Sequence, residues 1–217
     1  MSTCNGLTDI GAGLIRKIHK YTMHLDNAKI LIGGMADNIE EWGAVESMME
    51  EFQLGDKRPA TVTALLEMLG YRTIYVLPDD TYEFGQPFQS DTKFDIAIGM
   101  YGLAGKVADQ KQFFKNFHDL VDVGGLIVHS GVWANGKDNR FYSHNPMFWA
   151  RLAQHNEYGV QAHFLSHGNG LERLEHPRAE GTGLELVGKY QIRNIERPAY
   201  IYTLYTKNVN DEFEFDL

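Results

Sequence analysis

Two histidines and a tyrosine in the middle of the chain have side chains that can carry a proton. His129 closes the apolar run GGLIVH, and His144 follows Tyr142 in the segment FYSHNP. The imidazole changes its charge near neutral pH, which suits it to act as a general base. We therefore treat His129, His144 and Tyr142 as candidate catalytic residues. For a histidine at a strand end, the alternative is a structural hydrogen bond to a backbone carbonyl.

A pair of glycines marks a second candidate site. Gly33 and Gly34 follow the apolar run AKILI, and Met35 follows them. Glycine permits tight turns and close approach of the backbone to a ligand, so this pattern often opens a nucleotide-binding site. A tight turn after a buried strand explains the pair equally well. The stretch itself does not separate the two interpretations.

The composition narrows the classes of function. A net charge of −9 and a pI of about 5.4 argue against binding to nucleic acids or anionic membranes. The single cysteine, Cys4, excludes an intrachain disulfide framework and a multi-cysteine zinc site. The nine histidines match no metal-ligand spacing, and no apolar run approaches the roughly 18 residues of a membrane span. We predict a cytoplasmic protein without a metal, and leave a homodimer open.

Apolar, β-branched runs alternate with amphipathic segments along the chain. Strands are predicted at 29–34, 72–77, 94–100, 124–133 and 158–166, and helices at 40–52, 58–70, 110–121 and 145–156. Two further segments, 184–194 and 199–207, alternate apolar and polar residues as antiparallel partners do. This order predicts an α/β fold, a Rossmann-like open and mostly parallel sheet with helices on both faces and an antiparallel C-terminal strand pair.

Three regions are predicted along the chain. Residues 28–207 form the α/β domain, residues 1–27 an N-terminal helical cap, and residues 208–217 an acidic tail. The cap is expected to be an amphipathic helix. In the tail, Phe213 and Phe215 either dock on the domain or extend into solvent.

The stretch KFDIAIGMYGLAGKVADQKQFFKNFHDLVDVGGLIVHSG, residues 93–131, resembles the second half of class I S-adenosylmethionine-dependent methyltransferases. In that family an FD-apolar-apolar strand, a loop and a helix lead to a GG-apolar-apolar strand. Asp95, Gly124 and Gly125 occupy the matching positions here. The segment FYSHNPMFWARLAQHNEYGV resembles the part that follows the fifth strand in some of these proteins. The resemblance runs from about residue 70 to the end of the chain.

The resemblance implies an enzyme with S-adenosylmethionine as its cofactor, bound outside the carboxyl ends of the strands. It implies a small-molecule acceptor with an oxygen or nitrogen nucleophile, faced by His129, His144 and Tyr142 and oriented by Tyr142 or Asn145. It also implies a set of residues that line the cofactor, with one aspartate on the ribose: Gly33, Gly34, Asp79, Asp80, Met100 and Tyr101.

The glycine-rich loop departs from the family pattern. The family has three spaced glycines, whereas this chain has Gly33-Gly34-Met35. Asp79 and Asp80 follow Gly33 by 46 and 47 residues (79 − 33 and 80 − 33) instead of roughly 20, and the segment 78–93 is too short for both a helix and a strand. The alternative is a non-catalytic methyltransferase-like binding or assembly subunit that has lost its cofactor. A third interpretation, NAD in the same crevice, lacks a G-x-G-x-x-G motif.

Overall fold

A seven-stranded sheet forms the centre of this computed structural model, which describes residues 6–25, 27–78, 84–88, 90–134, 142–167, 170–174, 199–209 and 211–215. The strands are β1 (Lys29–Gly33), β2 (Thr73–Leu77), β3 (Phe94–Gly99), β4 (Val121–Ala134), β5 (Gly159–His167), β6 (Gly170–Leu174) and β7 (Ala199–Thr206). Their order in the sheet is β2-β1-β3-β4-β7-β5-β6. The first four are mutually parallel, β7 is antiparallel to β4 and β5, and β6 is antiparallel to β5.

Helices connect and cover these strands. They are α1 (Asp9–Thr22), α2 (Gly43–Glu51), α3 (Val62–Met68), α4 (Leu103–Lys106), α5 (Gln110–Leu120) and α6 (Pro146–His155). Four of them begin with a side-chain cap that satisfies an early backbone N–H group, from Thr8, Thr61, Asp109 and Asn145. Among the described helices, none combines the length and apolar character that crossing a bilayer requires.

Strand residues alternate between two buried layers. Ile30 and Ile32 of β1 lie in the layer covered by α1, α2 and α3, whereas Leu31 lies in the layer covered by α4, α5 and α6. Successive side chains of a strand point to opposite faces, and burial on both faces explains the continuous apolar runs in the sequence. The predicted Rossmann-like α/β fold, with helices on both faces of a mostly parallel sheet, is therefore confirmed.

Some boundaries differ from the prediction. Helix α3 begins at Val62 and not near Pro59, because the Thr61 side chain accepts a hydrogen bond from the Ala64 N–H group and so caps the helix there. The short elements α4 and β6 were not predicted, since four or five residues are too few to show a periodicity. The predicted strand at 184–194 lies outside the described residues, and β7 takes β4 and β5 as its antiparallel partners.

The described part of the tail, residues 211–215, docks on the domain. The Asn156 side chain accepts a hydrogen bond from the Glu214 N–H group at 2.9 Å and donates one to the Glu214 carbonyl at 3.0 Å. Phe213 is buried, and Phe215 stacks on Phe114 with 5.7 Å between ring centroids. Of the two alternatives for the tail, docking is the one observed.

Lys207, directly after β7, ties the end of this strand to the end of α5. Its Nζ donates hydrogen bonds to the carbonyl oxygens of His118 at 2.7 Å and Val121 at 3.0 Å, and the side chain is fully buried. The carbonyls at the end of a helix have no partner inside the helix. The buried ammonium group therefore supplies hydrogen bonds where α5 turns into β4.

We predict that Lys207→Met lowers the free energy of unfolding by about 3 kcal/mol, because hydrogen bonds from a charged group are lost and buried carbonyls are left unpaired. Urea denaturation monitored by circular dichroism measures the change. The matched control is Lys111→Met, an exposed position on α5, which should change stability by no more than about 0.5 kcal/mol. Equal stability of the two variants would contradict this role for Lys207.

Candidate functional site

Two backbone turns meet at the carboxyl edge of the sheet. After β1, Gly34 adopts a φ of +88°, and its N–H group donates to the Leu77 carbonyl at 3.1 Å. After β3, the Met100 N–H group donates to the Gly33 carbonyl at 2.8 Å, and Tyr101 and Gly102 have φ values of +49° and +72°. The structure thus brings together Gly33, Gly34, Met100 and Tyr101. Asp79 and Asp80 lie outside the described residues.

These turns flank the point where the chain changes direction across the sheet. From β1 the chain passes to β2 on one side and then to β3 on the other side of β1. Ligands of open α/β sheets bind outside the carboxyl ends of the strands at such a switch point. This edge is therefore the candidate cofactor site.

Ser130 connects β4 to the turn after β3. Its hydroxyl donates to the Gly99 carbonyl at 2.6 Å and accepts from the Gly102 N–H group at 2.7 Å. Both groups are buried, so the serine satisfies donor and acceptor at once. The sequence alone assigns Ser130 no role; a small polar residue inside an apolar strand is the signal that points to it.

Tyr101 holds the amino-terminal residues 6–8 at this edge by hydrogen bonds. Its hydroxyl donates to the Gly6 carbonyl at 3.1 Å and accepts from the Thr8 N–H group at 3.0 Å. Burial raises the pKa of the Tyr101 phenol, which stays neutral. The side chain is thus both part of the core and an anchor for residues 6–8.

Apolar side chains fill the space above the glycine pair. A Cβ atom added to Gly33 would lie 2.4 Å from the Phe84 ring, and one added to Gly34 would lie 3.2 Å from Leu103 Cβ. Met100 and Tyr101 are also buried. A cofactor at this turn has to displace Phe84 and Leu103.

His129 lies in the core and not at the end of its strand, where the sequence predicts it. Strand β4 continues to Ala134, five residues further (134 − 129), so the imidazole sits inside the strand and is 1% exposed. Its ring packs against the rings of Phe114 at 4.8 Å and Trp149 at 6.0 Å between centroids. Within the described part of the chain, Nδ1 has no hydrogen-bond partner. Burial, with a smaller contribution from His144, lowers the pKa of His129 to about 3.

The segment 142–145 is held at the end of β4. The His144 N–H group donates to the Val132 carbonyl at 3.1 Å, and the Tyr142 N–H group donates to the Gly105 carbonyl at 3.2 Å. Tyr142 is 45% exposed, and its ring centroid lies 6.4 Å from that of His144. Asn145 caps α6, because its side-chain oxygen accepts a hydrogen bond from the Phe148 N–H group. This is the oxygen that was expected to orient the methyl acceptor.

His144 is 3% exposed, and its Nε2 lies 2.7 Å from Gln110 Oε1. Burial lowers the pKa of His144 to about 4. The structure thus places His144 beside Tyr142 and next to the aromatic cluster that contains His129. Gln110 was not identified from the sequence, because nothing local signals its contact with a residue 34 positions away.

A cavity of about 620 Å³ lies at the opposite, amino edge of the sheet. Its lining includes His19, Thr22, Tyr71 and Arg72, beside the starts of β1 and β2. The Tyr71 hydroxyl is hydrogen-bonded to Thr22 Oγ1 at 3.1 Å. No group of three His, Cys, Asp or Glu side chains arranged to hold a metal ion occurs among the residues that the structure describes.

No protein-family model matches the sequence, and no curated protein does. Solved structures of methyltransferases are similar in fold. The 1,6-didemethyltoxoflavin-N1-methyltransferase of Burkholderia thailandensis, solved with 1,6-didemethyltoxoflavin and S-adenosylhomocysteine, is 12% identical over 91% of this chain and 78% of its own, with a TM-score of 0.49. The TehB-like SAM-dependent methyltransferase of Corynebacterium glutamicum is 14% identical over 89% of this chain and 87% of its own, with a TM-score of 0.42.

A third structure, the plantazolicin methyltransferase BpumL with a triazolic desmethylPZN analog and S-adenosylhomocysteine, is 10% identical over 91% of this chain and 83% of its own, with a TM-score of 0.46. At such identities the likeness concerns the fold alone. The strand order, four parallel strands continued by the antiparallel strands β7, β5 and β6, defines a Rossmann-like α/β fold. The resemblance seen in the sequence is confirmed at this level.

Stability should fall as the pH drops from 7 to 5. With native pKa values of about 3 and 4, His129 and His144 stay neutral in the fold while the unfolded chain takes up protons below its pKa near 6.5. The unfolded state then binds more protons, which destabilises the fold by about 2 kcal/mol per histidine at pH 5.

The His129→Leu variant should lose about 2 kcal/mol of this pH dependence, measured by urea denaturation at both pH values. The matched control is His24→Leu, at an exposed position, which should keep the full dependence. An unchanged difference between pH 7 and pH 5 in His129→Leu would show that this imidazole is not buried in its neutral form.

Proposed function

We propose that the protein is an S-adenosylmethionine-dependent methyltransferase that acts on an oxygen or nitrogen atom of a small molecule in the cytoplasm. The observation that carries the proposal is the pair of turns at Gly33–Gly34 and Met100–Gly102, which flank the switch point of the sheet. Because a fold by itself does not fix an activity, the proposal rests on this edge as a ligand site.

The turn residues fit a cofactor whose reactive part must come close to the backbone. Gly33 and Gly34 carry no Cβ atom, and the Phe84 and Leu103 side chains, which lie above them, would have to withdraw for a cofactor to bind. In the proposed site Gly33, Gly34, Met100 and Tyr101 line the cofactor, and Asp79 or Asp80 binds its ribose. S-adenosylmethionine would supply a methyl group on a positively charged sulfur atom.

The acceptor side lies at the end of β4. His144 and Tyr142 are the proposed catalytic residues, because methyl transfer needs an aligned nucleophile and, for a weakly acidic hydroxyl, a base that removes its proton. His129, predicted for the same role, lies inside the core and does not face an acceptor there. His144 and Tyr142 are held together by the hydrogen bonds of segment 142–145. The net charge of −9 favours a small acceptor over a polyanion.

One observation favours a second function. Phe84 and Leu103 cover the glycine pair, and Tyr101 fastens residues 6–8 over the same edge. A site closed by packed apolar side chains is what a non-catalytic subunit would have after losing its cofactor. In that case the fold would serve a protein complex, and the exposed part of the segment 142–149 would lie in its interface.

Calorimetric titration with S-adenosylmethionine and S-adenosylhomocysteine, and with NAD as the control, separates the two functions. The methyltransferase should bind the first two compounds with micromolar dissociation constants and should not bind NAD. If the folded protein binds none of the three compounds, the result would contradict the proposal of an enzyme and support the proposal of a non-catalytic subunit. Binding of NAD alone would identify NAD, and not S-adenosylmethionine, as the cofactor.

The Gly34→Ala variant should bind S-adenosylhomocysteine at least about tenfold more weakly, a loss of about 1.4 kcal/mol, because the new Cβ lies 3.0 Å from the Met100 carbonyl, at the turn. The matched control is Gly55→Ala. Gly55 has the same φ of +88° but no atom within 4 Å of its added Cβ, so both variants carry the same backbone strain. Equal affinity of the two variants would place the cofactor elsewhere.

A further inference from the structure

Gln110, the first residue of α5, is fixed by hydrogen bonds on both ends of its amide. The side-chain nitrogen donates to the Ala104 carbonyl at 2.6 Å and to the Val107 carbonyl at 2.7 Å, and the residue is 6% exposed. Carbonyl oxygens only accept hydrogen bonds, so the amide can face them only with its NH₂ group. The Oε1 atom is thereby left to face His144.

This orientation determines which nitrogen of His144 carries hydrogen. Gln110 Oε1 is an acceptor, so His144 Nε2, at 2.7 Å, must be the donor. Burial lowers the pKa of His144 to about 4, and the ring is neutral at pH 7. A neutral imidazole has a single N–H group, so Nδ1 keeps its lone pair.

The lone pair on His144 Nδ1 accepts no hydrogen bond from the described residues. Within the described residues Nδ1 has no hydrogen-bond partner, and the indole N–H group of Trp149 has none either. The rings of His144 and Trp149 are 5.1 Å apart between centroids, and both lie against Gly131, where an added Cβ would come within 3.0 Å of Nδ1. A buried acceptor and a buried donor on neighbouring rings are therefore without partners among the described residues, and a hydroxyl group can both donate and accept a hydrogen bond.

We infer that Gln110 is a positioning residue that holds His144 with hydrogen on Nε2, so that Nδ1 is the atom that takes the proton of the methyl acceptor. The inference rests on the proposed function. In the proposed reaction the acceptor oxygen or nitrogen would bond to the methyl carbon of S-adenosylmethionine, the carbon–sulfur bond would break with its electron pair left on sulfur, and the acceptor's proton would pass to Nδ1. The positive charge lost by the sulfur would appear on the imidazole.

The same geometry distinguishes His144 from His129. No hydrogen bond of the described residues fixes the tautomer of His129, and its ring is enclosed by Phe114, Phe117 and Trp149. His144 lies on a connecting segment, next to the exposed Tyr142.

The first test is the tautomer itself, measured on the full chain by long-range ¹H–¹⁵N NMR of histidine, with His144→Gln to assign the signals. Native protein should show hydrogen on Nε2 of His144, and Gln110→Met should show a mixture of tautomers. The matched control is Gln112→Met on the same helix, where the lost hydrogen bond goes to Asn116; it should leave His144 unchanged. Hydrogen on Nδ1 in the native protein would overturn the inference even if Gln110→Met does not fold.

The second test follows release of S-adenosylhomocysteine with a panel of phenols and amines. Gln110→Met should lower kcat by about 10- to 100-fold and leave KM for S-adenosylmethionine within about twofold, whereas Gln112→Met should change neither. A kcat within about twofold of native for Gln110→Met overturns the positioning role. If native protein turns over no acceptor, the proposed function and the base role fail together, and the NMR result still decides whether Gln110 sets the tautomer.

Discussion

The hydrogen bond from the Met100 N–H group to the Gly33 carbonyl holds the neighbouring parallel strands β1 and β3 together where both end. It continues the parallel pairing of β1 with β3, in which Gly33 faces Gly99. Parallel strands end at the same edge, so this contact fixes the distance between the two turns that form the candidate site. The chain turns sharply directly after both strands. Positive φ values at Gly34, Tyr101 and Gly102 allow these turns.

Two buried polar side chains connect this edge of the sheet to the neighbouring elements by hydrogen bonds. Ser130 connects β4 to the turn after β3, and Gln110 connects the start of α5 to the segment after β4. Each is buried with its hydrogen-bonding atoms paired, which is the condition under which a polar group stabilises a core. The acceptor side and the cofactor side of the proposed enzyme are thus connected through residues 99–110.

The sequence predicts the strands well and the site only in part. Runs such as KILIGG and FDIAIG are buried on both faces, and such runs are hard to mistake. Gly33, Gly34, Met100 and Tyr101 meet as expected, because each follows a strand directly. The depth of His129 and the contact between Phe84 and Gly33 depend on packing between distant segments. A local pattern contains no information about such contacts.

The most direct measurement is the map of amide chemical shifts in ¹⁵N-labelled protein on addition of S-adenosylhomocysteine. A cofactor site at the switch point predicts the largest changes at Gly33, Gly34 and Met100–Gly102, with Phe84 shifted as it withdraws. Changes confined to Tyr71 and Arg72, beside the cavity at the amino edge, would contradict this account of the site. So would a spectrum without changes at a saturating concentration of the ligand.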